Sequence, residues 1–250
     1  MSTLALCLLL SAKHAFAVST ISPKHILIVV TSHSQLGSTG KQTGYYLSEV
    51  AHTFQVFKEA GYSVDFASIT GGAPPMDEKS RILTDKANAS FMADDNGIKK
   101  LNDSFPLKKV NAGVYDAVFF AGGHGVMWDF PDNPSVNTLT QKMYDRGGVV
   151  AAVCHGPAAL VEVKLSNGKY LLAGKRVSGF TNEEEAAVKL TSVVPFSLED
   201  KMLKRGARFT KAAIWQSHVE VSERLVTGQN PASAADVAKE VVKLLNPVMK

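Results

Sequence analysis

The sequence predicts an α/β fold in which a parallel sheet is sandwiched between helices, with a nucleophile held on a sharp elbow at the sheet's edge. Three observations carry this. Short β-branched runs alternate with longer stretches of helical periodicity, and glycine or proline punctuates the changes of pattern. One apolar run, Val149-Val150-Ala151-Ala152-Val153, ends directly on Cys154-His155-Gly156-Pro157.

Taken in order, His25-Ile26-Leu27-Ile28-Val29-Val30 is a continuous run of the kind buried on both faces of a parallel sheet. Residues 43–60 space Tyr46, Val50, Phe54 and Phe57 close to a helical repeat, and Gly61 stops it. A second strand is expected over residues 62–68, followed by a Gly/Pro-rich loop through Pro75 and a polar helix around residues 90–102. Residues 115–121 form a third strand, which Gly122-Gly123-His124-Gly125 ends. Residues 134–146 suit a helix closed by Gly147, residues 148–153 are a fourth buried strand, and residues 234–245 form the last helix after Pro231. No repeat, low-complexity tract or linker divides the chain. Residues 21–250 therefore read as a single α/β domain behind an N-terminal segment, residues 1–20.

With 250 residues, 45% hydrophobic and 20% charged, the composition excludes disordered, collagen-like and coiled-coil classes. The 27 basic against 23 acidic residues are scattered, so neither nucleic acid nor an anionic membrane is implied as a partner. Two cysteines, Cys7 and Cys154, build no disulfide scaffold and no zinc cluster. Residues 4–11 are almost continuously apolar and Ala15-Phe16-Ala17 is a small-x-small pattern, as in a secretory signal peptide. Cleavage after Ala17 would give a periplasmic or secreted protein; an uncleaved extension would leave it cytoplasmic. The run is too short for a permanent anchor, which needs about 20 apolar residues.

Gly37-Ser38-Thr39-Gly40-Lys41-Gln42-Thr43 invites a phosphate-loop reading, but Gln35 and Gln42 stand where that loop needs glycine and Ser/Thr. The elbow is more informative. A thiol between a buried strand and a helix start is lifted out of the sheet's carboxyl edge, where open α/β sheets bind ligands. Gly156 permits close approach of backbone, and Pro157 suits the first helical turn. The helix N-terminus and the adjacent imidazole are both expected to lower the thiol pKa.

These motifs, A-x-C-H-G-P at Cys154, the earlier Ala121-Gly122-Gly123-His124-Gly125, a glutamate in the first helix and the closing L-V-T-G-x-N-P-A-S, resemble the PfpI superfamily of glutamine-amidotransferase-like proteins. Within it they look most like the heat-shock-chaperone branch that contains glyoxalase III, over about residues 24–245. The resemblance implies a flavodoxin-like, three-layer fold, Cys154 as nucleophile and His155 as its triad partner. The third member, in a G-F-T-x-x-x-E pattern, is placed at Glu185, with Glu183 and Glu184 beside it as alternatives. A second family acid on the first helix corresponds to Glu49, buried and partly protonated. Gly122, Gly123 and His124, ending the third strand, offer backbone N–H groups for an oxyanion. His218-Val219-Glu220 resembles a glutaminase element, yet the elbow lacks the glutaminase continuation, so His218 reads as a strand residue. His52, Glu49 and His124 do not form a ligand pattern for a metal.

The resemblance implies a cofactor-free enzyme that converts methylglyoxal to D-lactate, a small dicarbonyl as its partner, and a homodimer. The alternatives are a protein deglycase, a holdase chaperone with Met127-Trp128-Asp129-Phe130-Pro131 as its apolar patch, and a cysteine peptidase or amidase.

Overall fold

A computed structural model describes residues 23–246. The signal-like segment and Cys7 lie outside the described residues. Strand β1 (His25–Val30) leads through helix α1 (Leu47–Glu59) to β2 (Ser63–Ser68). Helices α2 (Lys86–Met92) and α3 (Asp95–Asn102) and the short strand β3 (Phe105–Pro106) precede β4 (Ala117–Phe120). Helices α4 (Val126–Asp129) and α5 (Pro134–Asp145) then lead to β5 (Val149–Val153). A peripheral segment follows, with β6 (Arg176–Val177), α6 (Asn182–Ala187), α7 (Leu198–Lys204) and β7 (Arg208–Phe209). The chain closes with β8 (Val219–Ser222), β9 (Leu225–Gly228) and α8 (Ala234–Leu245).

The main sheet runs β3-β2-β1-β4-β5-β9-β8, and β6 and β7 pair separately. From β1 the chain steps outward to β2, whereas from β4 it steps the other way to β5. Right-handed crossovers in opposite directions put α1 and α5 on opposite faces of the sheet, which is the three-layer arrangement. α1 packs against α8 on one side, while α5 packs on β4 and β5. The reversal of direction between β1 and β4 leaves a crevice at their carboxyl ends. It is here that the chain places its chemistry.

Four expectations need correction. The sheet is mixed rather than wholly parallel, because β8 pairs antiparallel with β9 across a two-residue turn in which Glu223 has φ 58°. α1 starts at Leu47 and not at residue 43, since the backbone around Tyr45 bridges to Met76 instead. The helix expected around residues 90–102 is two helices, because the Asp94 side chain accepts from Gly97 N–H and caps a new start. The expected apolar patch at residues 127–131 is not exposed: Met127 and Phe130 are buried, and Trp128 stacks on His33.

Candidate active site

Cys154 follows β5 with φ 59°, a conformation uncommon for a side chain of this type, and is 3% exposed. Two backbone bonds hold it there: its N–H donates to Gly228 O at 3.0 Å, and its carbonyl accepts from Phe180 N–H at 2.8 Å. The elbow lies so close to β4 that a Cβ on Gly156 would sit 2.2 Å from the Phe120 carbonyl oxygen. Only glycine fits. The turn continues as a 3₁₀ helix, Gly156–Ala159, rather than the expected α-helix, so only a short stack of peptide dipoles faces the sulfur.

The three residues expected to act together are brought together. The Cys154 sulfur lies 3.4 Å from His155 Nδ1, and His155 Nε2 lies 2.8 Å from Glu185 Oε2. His124 Nε2 approaches the other carboxylate oxygen at 3.0 Å, and the two imidazoles stack with centroids 4.2 Å apart. Glu185 thus accepts from both rings, and the attraction of His155, with the hydrogen bonds from both imidazoles, holds its carboxyl below the ordinary carboxylate range against the opposing effect of burial. With Nε2–H of His155 donating to Glu185, its Nδ1 is the lone-pair side that meets the thiol. Burial, reinforced by His124, keeps the His155 pKa below its ordinary value, so this imidazole is a neutral base.

Glu183 and Glu184 are elsewhere. Glu183 reaches out to Lys211 at 3.2 Å. Glu184 is fully buried and caps α6 with Thr181, while its Oε1 accepts from Trp215 N–H at 3.0 Å, Gln229 Nε2 at 3.1 Å and Asn230 Nδ2 at 2.7 Å. His52 Nε2 donates to the Asp85 carboxylate at 3.0 Å, and His218 pairs with Thr210 at 2.9 Å just before β8. Neither joins the site. His124, His155 and Glu185 form a compact group of metal-ligating types, but each Nε2 already faces a Glu185 oxygen.

Glu49, on the first turn of α1, is fully buried beside the sulfur, and burial pushes its carboxyl up to about 8. Its Oε2 accepts from Gly122 N–H at 2.6 Å, and Oε1 has no hydrogen-bond partner among the described residues. That bond removes Gly122 N–H from the expected oxyanion donors. The N–H groups of Gly123 and His124 make no hydrogen bond to a described residue. Gly123 holds φ 95°, and a Cβ there would meet the Gly44 oxygen at 2.2 Å.

The thiol departs from expectation. Burial, with the nearby Glu49 carboxyl whenever it is ionised, pushes Cys154 well above its ordinary pKa instead of lowering it. At neutral pH the site therefore holds a thiol, a neutral imidazole, a protonated Glu49 and one carboxylate, Glu185. Above them opens a cleft of about 360 Å³, with Gly123, His124 and Cys154 at its base. Tyr46, Phe180, Val188, Trp215 and Asn230 wall it. Of these wall residues, Asn230 falls inside the closing motif, Phe180 inside the G-F-T-x-x-x-E pattern and Tyr46 on the repeat of the first helix; Val188 and Trp215 belong to no motif and join them only through the tertiary fold.

The family model for DJ-1/PfpI matches residues 42–244, which spans the elbow, the glycine turn, Glu49 and Glu185. The chain belongs to the DJ-1/PfpI family. Among its relatives is the glutathione-independent glyoxalase HSP31 of Saccharomyces cerevisiae, 33% identical over 237 residues that cover 90% of this chain and 99% of that protein. Glyoxalase 3 of Candida albicans is 30% identical, covering 87% of this chain and 96% of the relative. The crystal structure of glyoxalase III from Candida albicans superposes with a TM-score of 0.83 at 29% identity, over 88% of this chain and 97% of that one. The Francisella tularensis Rapid Encystment Protein matches with a TM-score of 0.86 at 43% identity, over 89% and 99% of the two chains. Family membership accounts for the mixed sheet and its helical layers. Among the described residues, no helix is long and apolar enough to cross a membrane.

Proposed function

We propose that this chain is a glutathione-independent glyoxalase that converts methylglyoxal and water to D-lactate, with Cys154 as the nucleophile. The observation that carries the reading is a sulfur 3.4 Å from the lone-pair nitrogen of a neutral, carboxylate-anchored His155, beside a buried carboxyl that keeps its proton at neutral pH. The names of the relatives support the same reaction class.

The thiol attacks the aldehyde carbon as its proton passes to His155 Nδ1, so no preformed thiolate is required. Glu49 gives its proton to the aldehyde oxygen, and Gly123 and His124 N–H groups steady the charge that develops there. Glu49, now ionised, removes the hydrogen from C1 of the hemithioacetal to give an enediolate and returns it to C2. One proton moves from the C1 oxygen to the C2 oxygen, and the product is a thioester. Water then breaks the C–S bond, its hydroxyl going to C1 and its other proton to Glu49, and the sulfur recovers its proton from His155, which returns every group to its starting state. C1 is oxidised and C2 reduced within one molecule, so no external oxidant or cofactor enters. A carboxyl with a pKa near 8 suits both halves of Glu49's task.

A protein deglycase would use the same thiol on carbonyl adducts. Supplying free methylglyoxal and, separately, methylglyoxal already condensed on N-acetylarginine separates the two. Lactate should form rapidly from the free aldehyde, and from the adduct only as fast as the adduct releases aldehyde unaided. Adduct loss faster than that spontaneous release would replace the glyoxalase reading with deglycation. The homodimer implied by the family resemblance belongs to this reading too, and light scattering of the full chain tests it.

A further inference from the structure

We infer that the cleft is built for 2-oxoaldehydes carrying a substituent larger and more apolar than methyl, received by a subsite of Phe180, Val188 and Trp215. This rests on the glyoxalase reading above and names its substrate class.

Size is the first observation. Taking about 30 Å³ per heavy atom, roughly a water's share of the liquid, methylglyoxal fills about 150 Å³. More than half of the cleft of about 360 Å³ is then left over. A phenyl substituent in place of the methyl brings the ligand to roughly 300 Å³ on the same scale.

The second observation is what the extra room is lined with. Phe180 lies over the catalytic His155 with ring centroids 4.3 Å apart, and Trp215 lies 5.9 Å beyond Phe180. An aromatic path therefore leads outward from the reacting atoms. Val188 and Trp215 are 38% and 45% exposed, unusual for large apolar side chains placed together at a cleft mouth. No lysine, arginine, aspartate or glutamate lines the cleft, so a charged substituent finds no counter-charge there.

The third is that the wall is held in place at a conformational cost. Trp215 has φ 64°, a region in which a bulky residue is an outlier. Its backbone N–H is tied at 3.0 Å to Oε1 of the buried Glu184, the same oxygen that fixes Asn230, another lining residue of the cleft, at 2.7 Å. Glu184 is a positioning residue: it touches no reacting atom and sets where the indole stands.

The reaction balances as before. R–CO–CHO and water give R–CHOH–COOH, with the C–S bond to C1 formed and then broken, C1 oxidised and C2 reduced.

The test measures kcat/KM for methylglyoxal and for phenylglyoxal with wild type, Trp215→Ala and Trp215→Phe. Wild type should favour phenylglyoxal. The phenylglyoxal-to-methylglyoxal ratio should fall about tenfold or more in Trp215→Ala, the scale of a lost apolar contact in a specificity pocket. Trp215→Phe should restore most of it. Because Trp215 sits on a half-exposed loop, circular dichroism should find both variants folded. Wild type that turns over methylglyoxal with no preference for phenylglyoxal, or with a ratio unmoved by Trp215→Ala, overturns the subsite alone. Wild type inactive on both compounds overturns the glyoxalase reading beneath it.

Discussion

Cys154→Ser is expected to lower lactate formation from methylglyoxal by at least about a thousandfold, the scale on which loss of a nucleophile acts. The serine hydroxyl is isosteric enough to leave the elbow intact, since Cys154 is held by its backbone N–H and carbonyl and not by the sulfur. Its far higher pKa makes it a poor substitute next to a single neutral imidazole. Thermal unfolding of the variant should stay within a few degrees of wild type. A variant that keeps a tenth of the wild-type rate would mean that the chemistry runs without a covalent bond to this residue.

Glu49→Gln is expected to move activity and stability in opposite directions. Turnover should fall by about a hundredfold or more, the usual contribution of a positioned acid–base group. Stability should rise. The folded Glu49 keeps its proton up to about pH 8, whereas the unfolded chain releases it near 4.5. Between those values the native state binds the extra proton, so this residue's contribution to stability falls as pH rises through that window and stays low above it. At about 1.4 kcal/mol per unit, the cost approaches roughly 4 kcal/mol at pH 8, and Gln removes it. The gain in Tm should therefore be several degrees at pH 8 and small at pH 5. The same ionisation places a charge beside the sulfur, so wild-type kcat/KM should decline above about pH 8. A Tm difference between wild type and Glu49→Gln that does not change with pH would show that Glu49 does not titrate in this range.

What the sequence made legible follows from what is local. β1 and β5 were readable because strands buried on both faces are continuous apolar runs, and α5 and α8 because Pro134 and Pro231 precede or open them. The elbow was readable because strand, thiol, His155 and Gly-Pro are consecutive. The break before α3 is not legible, because a polar helix start looks like more of the same helix until Asp94 is seen to cap Gly97. The thiol pKa is not legible for a related reason. Its neighbours in sequence, an imidazole and a helix start, argue for a thiolate. Its neighbours in space, complete burial and a carboxyl from 105 positions upstream, argue against one. Likewise Glu184 reads as one acid among three, and only the fold shows it gathering Trp215, Gln229 and Asn230 onto one carboxylate.

In a glutathione-independent glyoxalase the chain's own thiol must replace glutathione. Purified protein, dialysed free of small thiols, is incubated with methylglyoxal alone, and the product is assayed with a D-lactate-specific dehydrogenase. D-lactate should accumulate stoichiometrically with methylglyoxal consumed, at a rate that added glutathione does not increase. Consumption that begins only when glutathione is added, or that yields no lactate, would show that Cys154 does not stand in for glutathione.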